Sequence, residues 1–326
     1  MKSFNQCLGC YAPLERQEIS EIYHERCSRK LFGTAIPPTI DFGIDELEDM
    51  AKTSISYHLA LTGVQKKISL EIQKQSEDPS HRMMIVGLWG NFILKPPTTK
   101  FPEIAKLEDV TMHMARAAGI ATAEHGLIPL KTGELAYITR RFDRLPKKQK
   151  VAMEDFCQLS EMLSADKYNT STEMSGKIIW KYSSSPGLDA LRFFEMNIFS
   201  FLTGNADMHL KNYSLIQNDL GQYELSPAYD LLSTKLLLPE DKEESALSIN
   251  GKKIKLKKLD FDVLGKNLKI SEKSMEHSFS RILKSLPIME KLIETSFISS
   301  STKKSYIQLL QQRAKRLELA KISARG

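Results

Sequence analysis

A helix that is apolar on nearly all of its sides leads directly into a short polar loop in this chain. The helix is predicted over residues 188–204, and the loop at 204–214 reads GNADMHLKNYS. A helix without a polar face is buried, so the fold must build a core around it and hold the loop on a rigid support. The chain is long enough for this, since its 326 residues are 41% hydrophobic, and we expect two lobes or domains.

The loop and the segment SPAYDLLST at 226–234 together carry the polar groups of phosphoryl transfer. That chemistry uses one carboxylate to orient the acceptor hydroxyl, and an asparagine and a second aspartate to hold magnesium. Asp207 and Asn212 are five positions apart, the separation of the base and the asparagine in protein kinases. Asp230, which precedes Leu231 and Leu232, is then the expected second magnesium ligand.

Two further polar residues lie between the predicted base and the asparagine. His209 and Lys211 could neutralise charge on the transferred phosphoryl group, because one can donate a proton and the other is positive. The alternative is that Asn, Asp and Gly cluster here only as turn residues between a helix and a hairpin. The order of the groups and the buried helix before them favour a functional site.

A lysine and a glutamate upstream extend the pattern. The segment GNFILKPP predicts a strand at 91–95 that ends in Lys95 and stops at two prolines. A helix follows, with apolar residues at helical spacing (Ile104, Leu107, Val110, Met114 and Ala118). Glu108 lies at the border of this stripe, where it could face inward and pair with Lys95. A solvated lysine and a solvated glutamate are the alternatives.

A single glycine, Gly63, separates an apolar piece from an alternating strand in LALTGVQKKISLEI at 59–72. It lacks the several glycines of the usual nucleotide loop. A phosphate cradle and a plain hairpin turn both fit this stretch.

Five motifs occur in the order TGVQKK, FILKPP, RRFDR, GNADMHLKN and AYDLLST. From about Leu59 to the end of the catalytic region, this order resembles the HipA-like serine/threonine kinases of bacterial toxin–antitoxin systems, especially the short HipT-type members. The resemblance implies an α+β, two-lobed protein-kinase-like fold with a small mixed N-lobe and a larger helical C-lobe. We expect a cysteine-containing module at 1–33, the N-lobe at 34–144 and the C-lobe at 145–326.

The resemblance also implies roles by position. Asp207 would be the base, with Asn212 and Asp230 as magnesium ligands, and Lys95 would contact the nucleotide with Glu108 as its partner. The remaining nucleotide-binding residues would be a phosphate loop and a hinge whose backbone meets adenine (Thr62, Gly63, Val64, Gln65 and Lys66; Arg140, Arg141 and Phe142).

Autophosphorylation is where the chain departs from the family pattern. Family members commonly carry a serine just ahead of the loop glycine, whereas this chain has Ala60 and Thr62. Thr62 is the candidate acceptor, and Ser54 and Ser56 are less well placed.

The family implies ATP and Mg²⁺ as cofactors, an aminoacyl-tRNA synthetase as the protein substrate, and an antitoxin through which DNA is met only indirectly. Full-length family members begin with an additional subdomain, which a separate small HipS-like subunit would supply here. The alternatives are a small-molecule kinase and a catalytically silent kinase fold that binds a partner. The presence of Lys95, Asp207, Asn212 and Asp230 argues against the silent version.

A second constellation lies at the N-terminus. Cys7, Cys10, His24 and Cys27 form C-x2-C, thirteen residues, then H-x2-C, the paired ligand spacing of a structural zinc site. Reduced cysteines of a cytosolic protein are the alternative. Cys157 has no partner motif and is expected to be a small buried residue.

The formal net charge is +6, with basic runs at 140–150 and 252–258. Such runs are usually solvated faces, although they could meet an acidic partner, RNA or DNA. We expect a cytoplasmic protein with no membrane partner, because the chain has no bilayer-length apolar run and no secretory leader. The polar segment 166–186 is predicted to be a surface loop that could help dock substrate.

Overall fold

The structure is a computed structural model, and it describes residues 4–15, 20–47, 66–73, 81–87, 89–145 and 149–317. The chain forms two compact units. The first comprises Met1–Asp109, Ala123–Lys148 and Thr295–Phe297, and the second comprises Val110–Thr122, Gln149–Glu294 and Ile298–Gly326. The domain limits drawn from the sequence, at 33 and 144, remain predictions.

In the described residues, the first half of the chain is mostly strands and the second half is mostly helices. The strands are β1 (Ile68–Gln73), β2 (Arg82–Ile85), β3 (Phe92–Lys95), β4 (His125–Pro129), β5 (Leu135–Arg140), β6 (Arg144–Leu145), β7 (Gln149–Lys150), β8 (Met153–Asp155), β9 (Ser214–Gln217) and β10 (Tyr223–Leu225). The helices are α1 (Glu25–Phe32), α2 (Ile104–Ala117), α3 (Phe156–Leu159), α4 (Thr172–Tyr182), α5 (Pro186–Thr203), α6 (Thr234–Leu237), α7 (Lys258–Asn267), α8 (Glu272–Thr295) and α9 (Ser300–Arg316).

An antiparallel sheet in the order β2-β1-β3-β5-β4 forms the centre of the first unit. Strand β5 reads LAYITR and is buried along all but its last residue, which suits its aromatic and β-branched side chains. Its register sets Lys95 of β3 opposite Tyr137. The sheet therefore fixes where the end of β3, and with it Lys95, lies.

The N-terminal cysteine segment shares the core of this sheet. The backbone N–H of Leu127 in β4 donates to the carbonyl of Leu8 at 3.1 Å, and the Tyr23 hydroxyl donates to the carbonyl of Leu127 at 2.9 Å. Residues from both parts form one apolar cluster (Cys7, Leu8, Tyr23, Leu31 and Phe32 with Leu70, Leu94, Leu127 and Ile138). The segment is thus packed against β4 and β5 as part of the first unit.

Helix α5 forms the core of the second unit. Its aromatic residues are fully buried, and Phe201 lies 5.3 Å from the ring of Phe261 in α7 while Phe194 lies 5.9 Å from Phe279 in α8. A three-stranded sheet in the order β10-β9-β8 lies in the same unit. The predicted buried helix is confirmed with bounds Pro186–Thr203, and the polar loop after it precedes the β9–β10 hairpin.

One prediction about the second unit is wrong. The segment 166–186 is not a surface loop, because it contains α4. Ser171 caps this helix by accepting from the backbone N–H of Met174, while Ile178 and Ile179 are buried. The helix was not predicted because the segment is polar in composition, although one face of the helix is apolar.

The other sequence-based elements agree with the structure. The strand at 91–95 is present as β3, and the apolar stripe beginning at Ile104 forms α2. The lone cysteine, Cys157, is buried with its thiol 3.2 Å from the carbonyl of Met162. Within the described residues, every helix is too short or too polar to cross a bilayer.

Candidate functional site

The first unit contains a buried ion pair at the end of β3. The Lys95 Nζ atom lies 2.5 Å from Oε1 of Glu108 in α2, and the two side chains are 5% and 2% exposed. Burying a charge is costly unless it is paired, so each residue holds the other in place. The solvated alternatives for both residues are wrong, and the Lys95–Glu108 pair predicted from the sequence is formed.

The predicted hinge segment 140–142 begins at the last residue of β5. The backbone N–H of Arg140 donates to the carbonyl of Glu124 at 2.8 Å, and that of Arg141 donates to the carbonyl of Asn91 at 2.8 Å. These two donors are therefore used within the first unit.

Charged side chains stabilise the chain just after the hinge. Arg141 donates from Nε and Nη2 to the two carboxylate oxygens of Asp143 at 2.9 and 2.8 Å, and Arg144 lies 2.5 Å from the same carboxylate. Burial alone would raise the pKa of Asp143, but the hydrogen bonds and charges of Arg141 and Arg144 lower it. Asp143 is thus held ionised between two guanidinium groups.

The predicted phosphate loop and the autophosphorylation candidates lie largely outside the described residues. Of Thr62, Gly63, Val64, Gln65 and Lys66, only Lys66 is described, where it is half-buried just before β1. Ser54 and Ser56 also lie outside the described residues.

In the second unit, the loop after α5 begins with a required glycine. Gly204 has φ +72°, and a Cβ atom there would lie 2.7 Å from the Leu309 side chain. Its left-handed backbone therefore suits glycine alone. The next residues are fixed as well, since the Asn205 N–H donates to the carbonyl of Ser200 at 2.8 Å and the Ala206 N–H donates to Thr234 Oγ1 at 2.8 Å.

The side chain of Asn212 closes the loop upon Asp207. Its Nδ2 atom donates to the main-chain oxygen of Asp207 at 2.8 Å, and its backbone N–H donates to the carbonyl of His209 at 2.9 Å. The five-residue separation between Asp207 and Asn212 thus corresponds to one turn that these hydrogen bonds close. With the amide nitrogen committed to this contact, the Oδ1 atom is the side of the amide that can accept a cation.

The carboxylate of Asp207 is 53% exposed. The Tyr168 hydroxyl donates to its Oδ1 atom at 2.6 Å. Burial raises the pKa of Tyr168, and the hydrogen bond and negative charge of Asp207 raise it further, so the hydroxyl stays protonated as a donor. Tyr168 was not among the residues predicted from the sequence. It lies 39 positions before Asp207, in the segment predicted to be a loop, and it belongs to no motif.

His209 and Lys211 do not both face the carboxylate of Asp207. His209 is buried, with its ring 5.1 Å from that of Tyr168 and Nε2 3.9 Å from Oδ1 of Asp207. Burial lowers the pKa of His209, and the charge of Asp207 opposes this only in part. Lys211 instead lies 2.9 Å from Oδ2 of Asp155, a helix-capping residue that sequence reasoning did not identify.

Asp230 adopts an unusual backbone conformation. Its φ is +56°, in the left-handed region that residues with a Cβ rarely enter. The residue before it, Tyr229, donates from its hydroxyl to the carbonyl of Lys211 at 3.0 Å, and Leu231 after it is fully buried. The amide oxygen of Asn212 and the carboxylate of Asp230 are hard oxygen ligands, a donor set that fits Mg²⁺.

The four predicted ligands at the N-terminus are brought together. The ligand atoms of Cys7, Cys10, His24 and Cys27 all lie within 4.8 Å of one another, and the cysteines are free thiols. Hydrogen bonds from the Cys27 and Cys7 thiols lower the pKa of Cys10, and the same contact to Cys10 raises the pKa of Cys27.

The two basic runs are partly neutralised by neighbouring carboxylates. Besides the contacts of Arg141 and Arg144, Lys252 lies 2.7 Å from Asp260 and Lys258 lies 2.9 Å from Asp262. The positive charges of these four described residues are therefore balanced by carboxylates within their own unit.

Comparison with known proteins found a matching family, similar sequences and solved structures with a similar fold. The family described as the HipA-like C-terminal domain matches residues 59–288. "Putative kinase Y4dM" of Sinorhizobium fredii (strain NBRC 101917 / NGR234) is 32% identical over 235 residues, which are 68% of this chain and 54% of that protein. "Putative kinase" of Haemophilus influenzae (strain ATCC 51907 / DSM 11121 / KW20 / Rd) is 28% identical over 248 residues, 70% of this chain and 68% of that protein. The chain thus spans about half the length of the Sinorhizobium relative.

Two solved structures share the fold. A chain of the Shewanella oneidensis MR-1 complex of HipA, HipB and operator DNA has a TM-score of 0.69 and 19% identity, covering 86% of this chain and 72% of that chain. The Helicobacter pylori proinflammatory kinase CtkA has a TM-score of 0.53 and 19% identity, covering 71% of this chain and 91% of that chain. These likenesses confirm the predicted α+β, kinase-like fold. With most of its length matched by the family, this chain belongs to the HipA-like C-terminal domain family.

Proposed function

We propose that this chain is an ATP-dependent serine/threonine protein kinase that acts as the toxin of a bacterial toxin–antitoxin system. The observation that carries the proposal is the contact from Asn212 Nδ2 to the main-chain oxygen of Asp207. This contact holds a half-exposed carboxylate and an amide oxygen on one closed turn, as phosphoryl transfer requires of its base and its metal-binding asparagine. Family membership and the kinases among its relatives support the same reaction.

Asp207 acts as the base in this mechanism. Its carboxylate orients the acceptor hydroxyl and accepts its proton as the oxygen attacks the γ-phosphorus of ATP and the bond to the leaving ADP oxygen breaks. Tyr168 donates to Oδ1 and so fixes the rotamer of the carboxylate, leaving Oδ2 to meet the hydroxyl. Tyr168 is a positioning residue in this scheme.

Lys95, Asn212 and Asp230 serve the nucleotide. Lys95 is held by Glu108 and supplies a fixed positive charge for nucleotide phosphates. Asn212 and Asp230 would hold Mg²⁺, which neutralises phosphate charge when bound. The hinge 140–142 and the phosphate loop 62–66 are the other segments that we propose bind the nucleotide.

His209 and Lys211 support the loop in this proposal. His209 packs under Tyr168, and a neutral ring there avoids a second charge beside the base. Lys211 is fixed by Asp155, and its carbonyl accepts from the Tyr229 hydroxyl, so it joins the loop to the residue before Asp230. Both residues act through the geometry of the ligands around them.

A groove beside the loop is the binding surface that we propose for a protein substrate. It has a volume of about 550 Å³ and is lined in part by Met162, Met174, Ile178 and Leu210, with Lys177 and Lys181 also on its wall. Leu210 belongs to the same turn as Asn212. A partly apolar groove that includes Leu210 of this loop can bind the chain that flanks an acceptor serine or threonine.

The proposed substrate is an aminoacyl-tRNA synthetase, and the proposed partners are an antitoxin and a small HipS-like subunit. The partner proposal is supported by the HipA, HipB and operator DNA complex, whose fold this chain shares. The chain would contact DNA only through the antitoxin. The protein would act in the cytoplasm. Loss of one charged tRNA would then arrest translation.

Phosphoproteomics tests the proposal directly. Cell lysate is incubated with ATP and either the wild-type chain or Asp207→Asn, and phosphopeptides are compared by mass spectrometry. We expect one synthetase to carry a serine or threonine phosphate with the wild type alone, and its overproduction to relieve growth arrest. Phosphate found only on a sugar or an antibiotic would establish the small-molecule alternative, and no transfer at all would establish the silent one.

A further inference from the structure

We propose that Cys7, Cys10, His24 and Cys27 bind one Zn²⁺ as a closed structural site, and that this site fixes Tyr11 against α2 beside Glu108. The four ligand residues are distinct from the residues assigned to the kinase reaction, and their ligand atoms all lie within 4.8 Å of one another.

The spacing of the ligand atoms is close to that of a tetrahedral zinc site. Bond lengths of about 2.3 Å to sulfur and about 2.0 Å to nitrogen place neighbouring ligands roughly 3.5–3.8 Å apart. The Cys10 Sγ atom lies 3.3 Å from Nδ1 of His24. A small inward movement of the side chains would complete the geometry. Three sulfurs and one imidazole in such a site select zinc.

Backbone groups support the ligands. The N–H groups of Gly9 and His24 donate to the Cys7 sulfur, at 3.4 and 3.3 Å, and so orient it within the cluster. Gly9 is required at this turn because a Cβ atom would lie 2.5 Å from the Tyr23 ring.

The histidine is oriented for a metal. Its Nε2 atom lies 2.9 Å from the carbonyl of Pro13, a contact that requires the proton on Nε2. The Nδ1 atom then presents its lone pair toward Cys10. Zinc-bound histidines characteristically donate their second N–H to such an outer partner, so His24 is already in the tautomer that binds metal.

The site is coupled to α2 through the residue that follows Cys10. Tyr11 has φ +63°, and its N–H donates to the carbonyl of Cys7 at 2.9 Å. The turn that holds Cys7 and Cys10 thus sets the direction of the Tyr11 side chain. Its hydroxyl donates to Oδ2 of Asp109 at 2.5 Å.

Asp109 belongs to α2 and directly follows Glu108. Its other oxygen, Oδ1, lies 2.7 Å from Nδ1 of His125 in β4, and all three side chains are buried. The cluster therefore braces the part of α2 that presents Glu108 to Lys95. Zinc would organise a segment whose own core is small.

Metal content of the full-length chain, purified without added zinc, tests the site. We expect about one zinc per chain by mass spectrometry of the metal, lost in Cys10→Ser and Cys27→Ser and retained in Cys157→Ser, which removes the lone cysteine of the second unit. If the ligand variants fail to fold, cobalt exchanged into the wild type should give the visible d–d bands of a tetrahedral thiolate site. A folded, metal-free wild type that binds neither zinc nor cobalt would overturn the proposal.

Tyr11→Phe tests the coupling without touching a ligand. We expect zinc content to stay unchanged while amide hydrogen exchange in 104–109 becomes about tenfold faster, because a buried carboxylate loses a hydrogen bond. Tyr23→Phe, which removes the hydroxyl that binds Leu127, is the matched control and should leave 104–109 unaffected. Unchanged exchange in Tyr11→Phe would refute the coupling. Neither readout depends on kinase activity.

Discussion

The side-chain amide of Asn212 donates to the main-chain oxygen of Asp207, 2.8 Å away, within a turn whose carboxylate is exposed and whose backbone is fixed. The backbone of the proposed base is thereby held by a side chain whose oxygen is the proposed ligand for Mg²⁺. The proposed proton transfer by Asp207 and the proposed Mg²⁺ binding by Asn212 can therefore be tested separately.

Asp207→Asn should abolish catalysis while sparing the nucleotide. We expect kcat to fall by at least about 100-fold, because a base contributes that much to proton transfer, with Mg-ATP affinity within a few-fold of the wild type. Steady-state kinetics and calorimetry measure the two effects. Asp230→Asn is the comparison and should weaken Mg-ATP binding as well. An Asp207→Asn variant with full activity would refute the assignment of the base.

Glu108→Gln should destabilise the first unit. It leaves the ammonium of Lys95 buried without its partner carboxylate, and breaking such a pair costs about 3–5 kcal/mol. Urea unfolding measures the change. In the double variant Lys95→Met/Glu108→Leu, both charges are removed, so we expect much of the stability to return while nucleotide binding stays weak. A Glu108→Gln variant as stable as the wild type would show that the pair is not buried in solution.

His209 should make stability depend on pH. Burial lowers its pKa in the folded state from an ordinary value of 6.5, so the unfolded chain binds more protons between these two pKa values. The contribution of a neutral His209 is therefore fully present above pH 6.5 and declines as the pH falls through 6.5 toward the lowered pKa. Melting temperatures of the wild type and His209→Gln across this range measure it. Parallel pH profiles would contradict the prediction.

Gly204→Ala should destabilise the second unit and perturb the loop. The new Cβ atom would lie 2.7 Å from Leu309, at a left-handed φ of +72°, and the strain is expected to cost at least about 1 kcal/mol. Gly187→Ala is the matched control, because nothing lies within 4 Å of its added Cβ atom at the other end of α5. Thermal unfolding of both variants should show a loss only for Gly204→Ala.

Met174→Glu should impair a protein substrate selectively. Met174 is 52% exposed in α4 and lines the groove beside Leu210, so the charge should raise KM for the protein substrate several-fold with little effect on folding or on Mg-ATP affinity. Leu259→Glu, at a 67% exposed site in α7, is the control. Equal effects of the two variants would remove the groove from the proposal.

The sequence was most informative where a function depends on spacing. A pair between Lys95 and Glu108 could be predicted, beside the solvated alternatives, because Lys95 ends a strand and Glu108 borders an apolar helical stripe. Asp207 and Asn212 could be grouped because they share one loop. Tyr168 and Asp155 could not be found, since they approach the loop from segments 39 and 56 positions away. Such contacts are set by how α3 and α4 pack, which local pattern does not encode.

The hydroxyl of Tyr229 ties together the two segments that carry Asn212 and Asp230. It donates to the carbonyl of Lys211, the residue before Asn212, and lies 2.6 Å from the Ser214 hydroxyl. The spacing between the two segments is thus restricted before any cation arrives. A cation bound there would lose little free energy to ordering the chain, because preorganised ligands have already given up their conformational entropy. The affinity for Mg²⁺ would then depend on the Tyr229 hydroxyl as well as on the two ligands.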